Sequence, residues 1–505
     1  MLTIEDKINK LNNIGVALTK TTKLQDLFEL IVTSCREFTN SDGGSLFTLE
    51  GDKLIFRVAQ NDTLTKRPGE HPPFKAFQIP LSKKSVSGYV AMTGEVVHAD
   101  DVYEIDPATK GYGIDKSFDE KMNYRSQSML TVPMRDDKGA VIGVIQLINA
   151  MNDNGDVIPF ANDTIELMLS IASQGAVALQ NARLISNIKN LFAAFVKYSA
   201  TAIDERSPHT AGHTRRVAGM SMRIANCINQ QTTGPLAEVF FTDAELEELW
   251  FAAWLHDIGK IAVKEAVLEK NSRISWDRMN WILSRMHIDL LEMKLHHLND
   301  PNFEEETFNN NMDSVKSDIE FLNKLNTAGF LPPEDEERLK NITARKYRDI
   351  MGEDHPMIDE FEFSNLSIKR GNLTDEEWLE MRSHVVKTRV IVAKIPFTKE
   401  LSNVGTIAAG HHEMLNGTGY PDKLTEERLP IQARILAVAD VFDALTAADR
   451  PYKKAIPLDI SIKILREEVE KGRMDGRIVE LMVEKELYEG HKDDQAEYPW
   501  KTEVF

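Results

Sequence analysis

Two short runs constrain this chain more than anything else in it. One is Trp254-Leu255-His256-Asp257-Ile258-Gly259-Lys260. The other is His411-His412-Glu413-Met414-Leu415-Asn416-Gly417-Thr418-Gly419-Tyr420-Pro421. Each places adjacent imidazole or carboxylate groups at a predicted helix end, and imidazole with carboxylate suits a divalent transition metal. Any fold that uses both runs must bring them together in space. Two such pairs, with further His and Asp residues between and after them, can hold two metals with a hydroxide bridging them. That arrangement suits the cutting of a phosphodiester.

With the later Asp440 in Ala439-Asp440-Val441-Phe442-Asp443-Ala444-Leu445, these runs resemble the HD-GYP family. That family is a branch of the HD-domain metallohydrolases whose members hydrolyse cyclic dinucleotides. Three ordered motifs of unusual composition make the resemblance specific. It covers about Ala200 to Tyr488, interrupted by an insertion.

The 505 residues suffice for two to four domains. No run of about 18 apolar residues is present, so no membrane helix is expected. The start, Met1-Leu2-Thr3-Ile4-Glu5-Asp6-Lys7, lacks the basic and apolar parts of a secretory signal. Cys35 and Cys227 are the only cysteines, which points to a reducing compartment and a cytoplasmic location. The net charge of −19 opposes nonspecific attraction to nucleic acid. A small anionic substrate is still allowed where metals and a few Lys and Arg residues reverse the field locally.

The expected fold is multidomain. Residues 1–180 alternate helix and strand signals and resemble a GAF domain, a small α/β module. Leu11 to Phe38 reads as one amphipathic helix. Glu50-Gly51-Asp52 and Asp136-Asp137-Lys138-Gly139 read as hairpin turns, and a long helix starts at Asp163. Some GAF domains bind small molecules, so a ligand is expected here. Residues 181–202 form a linker helix in which Leu184, Ile188, Leu191, Phe195, Tyr198 and Ala202 step by four and three. That spacing predicts a parallel homodimer and a mechanical link from sensor to site. Residues 203–495 read as an all-helical HD-GYP domain. Thr374 and Glu377 form a capping box that opens the helix carrying His384, and Pro396 stops it. Residues 271–369 are the insertion, polar and partly helical, and its His287, His296 and His297 read as surface or packing residues.

The resemblance implies a ligand set of His213, His256, Asp257, His384, His411, His412 and Asp440. His209 stands where some relatives carry a Glu that helps hold a third ion, so two or three divalent ions are both open. Iron or manganese is the favoured metal, and ligand type does not exclude zinc or nickel. Asp440 lies in an apolar stretch, where a buried unpaired carboxylate is costly and metal binding removes the cost. Lys260, with Asp257, is assigned to catalysis, facing the metal-bound oxygens and phosphate. Gly417, Gly419 and Tyr420 shape the substrate-side loop and a surface for a diguanylate cyclase partner. Arg450 and Lys453 match positions that hold substrate phosphate or guanine in relatives. Asn416 departs from the family's Asp, so any hydrogen bond that needs a carboxylate there is lost.

The expected activity is hydrolysis of a cyclic dinucleotide. Cyclic di-GMP is the family's commonest substrate, and 3′,3′-cyclic GMP-AMP is its closest rival. A non-catalytic receptor and a nucleotide phosphohydrolase are the alternatives. The intact ligand set opposes the first and the GTGYP loop the second.

Overall fold

The computed structural model describes residues 4–21, 23–66, 78–206, 212–299, 304–447, 455–490 and 495–500. The chain divides into two compact units, Met1–Phe192 with Trp500–Phe505, and Ala193–Pro499.

In the first unit the described residues form an antiparallel sheet of seven strands. These are β1 (Ser41–Glu50), β2 (Lys53–Asn61), β3 (Gln78–Pro80), β4 (Val97–Ala99), β5 (Met129–Arg135), β6 (Val141–Met151) and β7 (Val157–Ile158). The order is β3-β2-β1-β6-β5-β4, with β7 also on β6. Both predicted hairpins form, β1 with β2 and β5 with β6. Gly51 at φ 59° and Gly139 at φ 83° supply the left-handed turn residues. Side chains alternate faces along the strands. Leu46, Leu130 and Ile145 pack with Leu27 and Ile31 of the Leu24–Thr39 helix, and with Met168 and Ile171. Their neighbours Phe47, Met129 and Val144 pack on the other face with Val86 and Val90.

The helix predicted over Leu11 to Phe38 is two helices, Ile4–Lys20 and Leu24–Thr39. The Thr21 hydroxyl donates to the Ala17 carbonyl at 3.0 Å. It thereby competes with the backbone ladder where the first helix stops. The apolar periodicity runs on across the break, which is why the two read as one.

One helix, Asn162–Arg206, carries the chain from the first unit into the second. Its predicted seam is uncovered. Leu184 is 58% exposed, Ile188 58%, Leu191 72%, Phe195 68% and Tyr198 70%.

The second unit is helical, with a two-stranded hairpin in the insertion. His213–Asn229, Asp243–Leu255, Asp375–Val392, Val404–Ala409 and Ile431–Thr446 surround a core that includes Trp250, Phe251, Trp254 and Phe442. Within the insertion, Trp276–Asn299, Glu305–Thr327, Pro333–Thr343 and Glu360–Leu366 bury a separate cluster. Ile282, Val315, Leu322, Leu339 and Ile358 lie at its centre. Arg273 is buried beside it, its guanidinium donating to the carbonyls of Leu366 and Ala328 at 2.7 and 3.2 Å.

Candidate metal centre

The Asp243–Leu255 helix starts on a capping box, Thr242 with Glu245, and its interior residues are buried. It ends at His256, so the adjacent His256 and Asp257 do not share a regular helix. Asp257 has φ −103° and ψ 4° and leads into the 3₁₀ turn Ile258–Ala262. This break lets both side chains face one centre, where a continuous helix would splay them by about 100°. Gly259 is required by packing, because a Cβ there would lie 2.0 Å from the His384 carbonyl oxygen. Thr388 stitches the two segments together. Its hydroxyl donates to the His256 carbonyl at 2.9 Å and accepts from the Gly259 N–H at 3.0 Å.

The residues separated in sequence converge. His213, His256 and Asp257 form one group whose ligand atoms lie within 4.8 Å of one another, and His384, His411 and His412 form a second. Asp257 touches both. Its Oδ2 lies 3.3 Å from His256 Nε2 and 3.7 Å from His213 Nε2, and its Oδ1 lies 3.4 Å from His384 Nε2. The His256 and His411 rings are 4.9 Å apart, and those of His411 and His412 4.1 Å. Asp440 Oδ1 stands 3.1 Å from His213 Nε2. Lys260 Nζ donates to Asp257 Oδ2. A third acidic group, Asp349, Glu353 and His355, lies in the insertion hairpin. There Asp349 accepts backbone N–H bonds from Met351 and Glu353, as turn carboxylates do.

The orientation of the imidazoles has a common cause. The Nδ1 of His256, His384 and His411 lies 2.7, 2.6 and 2.6 Å from the carbonyl of Ala253, Met381 and Ala408, each three residues earlier. A carbonyl only accepts, so Nδ1 carries a proton in each ring and Nε2 is the nitrogen left facing the centre. All three Nε2 atoms are buried without a hydrogen-bond partner among the described residues. His213 is fixed differently, its Nδ1 donating to Asp443 Oδ2 at 2.8 Å. Arg216 holds that carboxylate in turn, Nε to Oδ1 at 2.6 Å.

The charge state follows from the packing. Burial, with some neighbouring imidazole charge, pushes His384 and His411 down, and pushes His412 down to about 4. These rings are neutral donors at neutral pH. Burial also opposes the imidazolium of His213, but Asp440 and Asp443 outweigh it and raise the group to about 10. Burial would raise the Asp257 carboxyl, yet Lys260 and His256 hold it well below the ordinary carboxylate range. Two carboxylates beside several aimed and otherwise unbonded Nε2 atoms form a donor set that fits divalent transition ions.

The loop after His412 closes over this centre. Gly417 is left-handed at φ 74°. A Cβ at Gly419 would lie 2.4 Å from the Met414 nitrogen. The Tyr420 ring lies 4.9 Å from that of His412, tilted by 31°. Buried Glu413, which the motif reading passed over, accepts the N–H groups of Asp422 and Leu424 at 2.6 and 2.9 Å and pins the far side of the loop. Asp443, Arg216 and Thr388 were also missed as site residues. His209, Arg450 and Lys453 lie outside the described residues.

Comparison with known families matches a GAF domain at residues 23–179 and an HD domain at residues 210–325 and again at 361–478. The 3′3′-cGAMP-specific phosphodiesterase 3 of Vibrio cholerae serotype O1 is 38% identical over 99 residues, 20% of this chain and 21% of that protein. The cyclic di-GMP phosphodiesterase response regulator RpfG of Xanthomonas campestris pv. campestris is 40% identical over 119 residues, 23% of this chain and 30% of that protein. The chain thus spans less than a third of either relative's own length. Among solved structures, the GAF domain from an Acinetobacter phosphoenolpyruvate-protein phosphotransferase aligns over 37% of this chain and 99% of that chain. Its identity is 15% and its TM-score 0.27. No helix of the described residues is long and apolar enough to cross a membrane. The chain therefore carries a GAF domain and, after it, an HD domain.

Proposed function

We propose that the protein is a metal-dependent phosphodiesterase that hydrolyses a cyclic dinucleotide, cyclic di-GMP first and 3′,3′-cyclic GMP-AMP as the alternative. One observation carries this reading. Asp257 presents one oxygen to the His213–His256 group and the other to His384 of the second group, the placement a bridging carboxylate needs. His213, His256, His384, His411, His412, Asp257 and Asp440 would hold the ions, with iron or manganese the favoured pair. Divalent ions in such a site supply Lewis acidity and lower the pKa of a bound water toward neutrality. The names of the two relatives agree with the substrate class.

The chain's own residues have defined tasks in this scheme. Asp443 and the three backbone carbonyls keep the Nε2 atoms aimed inward. Burial opposes the Lys260 ammonium, but Asp257 outweighs it and keeps the group protonated. Lys260 would thus offset charge gathering on the phosphoryl oxygens. Glu413, Gly417 and Gly419 hold Tyr420 over His412 on the substrate side.

The exposed seam of the Asn162–Arg206 helix supports a homodimer, because a heptad stripe of large apolar side chains is buried when two such helices pair. The GAF unit supports a ligand of its own. A cavity of about 260 Å³ lies against its sheet, bordered by Phe47, Phe56, Asn61, Asp119, Met129 and Gln146. Among the described residues its charged lining side chains are Asp115 and Asp119, which favour a neutral or cationic small molecule over an anion.

The test is elemental analysis of anaerobically purified protein together with product chromatography on both cyclic dinucleotides. The wild type is expected to bring metal and to linearise at least one of them. His411→Ala is expected to lose metal and turnover together, and wild-type turnover in that variant would refute the site.

A further inference from the structure

Among the described residues, the cations around the centre are mostly committed. Lys260 is bound to Asp257. Lys387 donates to the Ala262 carbonyl at 2.7 Å and to Glu380 at 3.0 Å. Arg389 is paired with Asp422. Arg382 differs. It lies two residues before His384 on the same helix and makes no hydrogen bond or ion pair among the described residues.

Arg382 is nevertheless held in place. Its guanidinium carbon lies 5.2 Å from the Trp378 ring centre and 4.8 Å from that of Tyr420. Tyr420 lies in turn against His412 at 4.9 Å. Trp378, Arg382, Tyr420 and His412 therefore form a continuous row of contacts that runs from solvent to the histidine cluster. Two flanking aromatic rings restrict where the guanidinium sits, and a guanidinium's paired N–H groups match two oxygens of one phosphate.

A cyclic dinucleotide carries two phosphodiesters. If the scissile one lies at the His and Asp groups, the second is an anion left over, facing a chain of net charge −19. We propose that Arg382, clamped by Trp378 and Tyr420, is the specificity residue that holds this second, non-scissile phosphate. The assignment rests on the phosphodiesterase reading above. It adds a reason for ring-shaped substrates with two phosphates to be preferred over simple phosphodiesters.

The test uses the full-length, metal-loaded protein and three variants, Arg382→Ala, Arg382→Lys and Trp378→Ala. Kinetics are measured on the cyclic dinucleotide that the wild type turns over best and on bis(4-nitrophenyl) phosphate, which has a single phosphate. For Arg382→Ala we expect KM for the dinucleotide to rise about tenfold or more, with kcat within about threefold and a wild-type metal-to-protein ratio. The rise in KM for bis(4-nitrophenyl) phosphate should be at least about fivefold smaller. Arg382→Lys should fall between, keeping charge but losing the fork, and Trp378→Ala should raise KM in the same direction. An unchanged dinucleotide KM, or equal rises for both substrates, overturns the assignment while leaving the phosphodiesterase reading intact. A metal-replete wild type that turns over bis(4-nitrophenyl) phosphate but neither cyclic dinucleotide overturns both.

Discussion

Asp443 and His213 are joined at 2.8 Å through Nδ1, while the opposite nitrogen of the same ring stands 3.1 Å from Asp440. Asp440 and Asp443 lie one turn apart on the Ile431–Thr446 helix, so one helix face supplies both the group beside the ring and the group that aims it. Supports of this kind typically govern metal affinity. Asp443→Ala should weaken metal retention roughly 10- to 100-fold and lower activity in parallel. Metal content after dialysis against graded chelator checks this, and wild-type retention would count against it.

Gly259 has no room for a methyl group. Its missing Cβ would meet the His384 carbonyl at 2.0 Å and the Thr388 nitrogen at 2.5 Å, and both are backbone atoms that move only with their helix. Gly259→Ala should cost about 1–3 kcal/mol of stability and should also lose metal, because His384 shifts with the backbone. Thr388→Val keeps the volume but orphans two backbone groups, and should cost about 1–3 kcal/mol. Urea titrations with and without chelator measure both effects.

Acid sensitivity should depend in part on Asp475. This carboxylate caps the Gly476–Glu484 helix through the Arg477 N–H at 3.1 Å and meets the guanidinium groups of Arg477 and Arg434 at 2.6 and 3.2 Å. Burial would raise it, but these partners outweigh burial and hold it below the ordinary carboxylate range. Its folded pKa lies below the unfolded one. The stabilisation is therefore complete above the unfolded value, about 3.9, and is lost as pH falls through the folded value. Asp475→Asn should be less stable near neutrality and should lose less stability than the wild type between about pH 6 and about pH 3. Parallel slopes for the two proteins in urea midpoint against pH would refute this.

Leu191 is the most exposed of the large apolar residues in the seam of the long helix, at 72%. Placing a carboxylate there sets like charges against each other across any symmetric pairing. Leu191→Glu should convert a two-chain species into single chains, read by light scattering after size exclusion. A wild type that already runs as one chain would remove the dimer proposal.

The sequence was most legible where its signals are local. Gly51 and Gly139 mark turns by their own conformation, and Thr374 with Glu377 closes its capping box within one turn, as expected. The convergence of His256, Asp257, His384, His411 and His412 was read from motif resemblance, since spacing alone does not fold a chain. What escaped notice depends on partners distant in sequence. Thr388 acts on the His256 carbonyl across 132 positions, and Asp443 on His213 across 230. Asn416 is the instructive case. Beyond the loss of a carboxylate, it donates its amide N–H to the Lys471 carbonyl at 3.0 Å while its oxygen accepts from the Thr418 N–H at 3.1 Å. An ionised aspartate has no hydrogen to donate there.

The use of backbone carbonyls three residues back to aim His256, His384 and His411 leaves those rings little latitude. A carbonyl in a helical turn has no side chain to exchange, so substitution among neighbours cannot redirect them without unwinding the helix end itself. His213 alone of these four takes its aim from a replaceable residue. Adjustment of the site by point mutation, in the laboratory or over generations, should therefore concentrate at the Asp443 corner and leave the other imidazoles as they are.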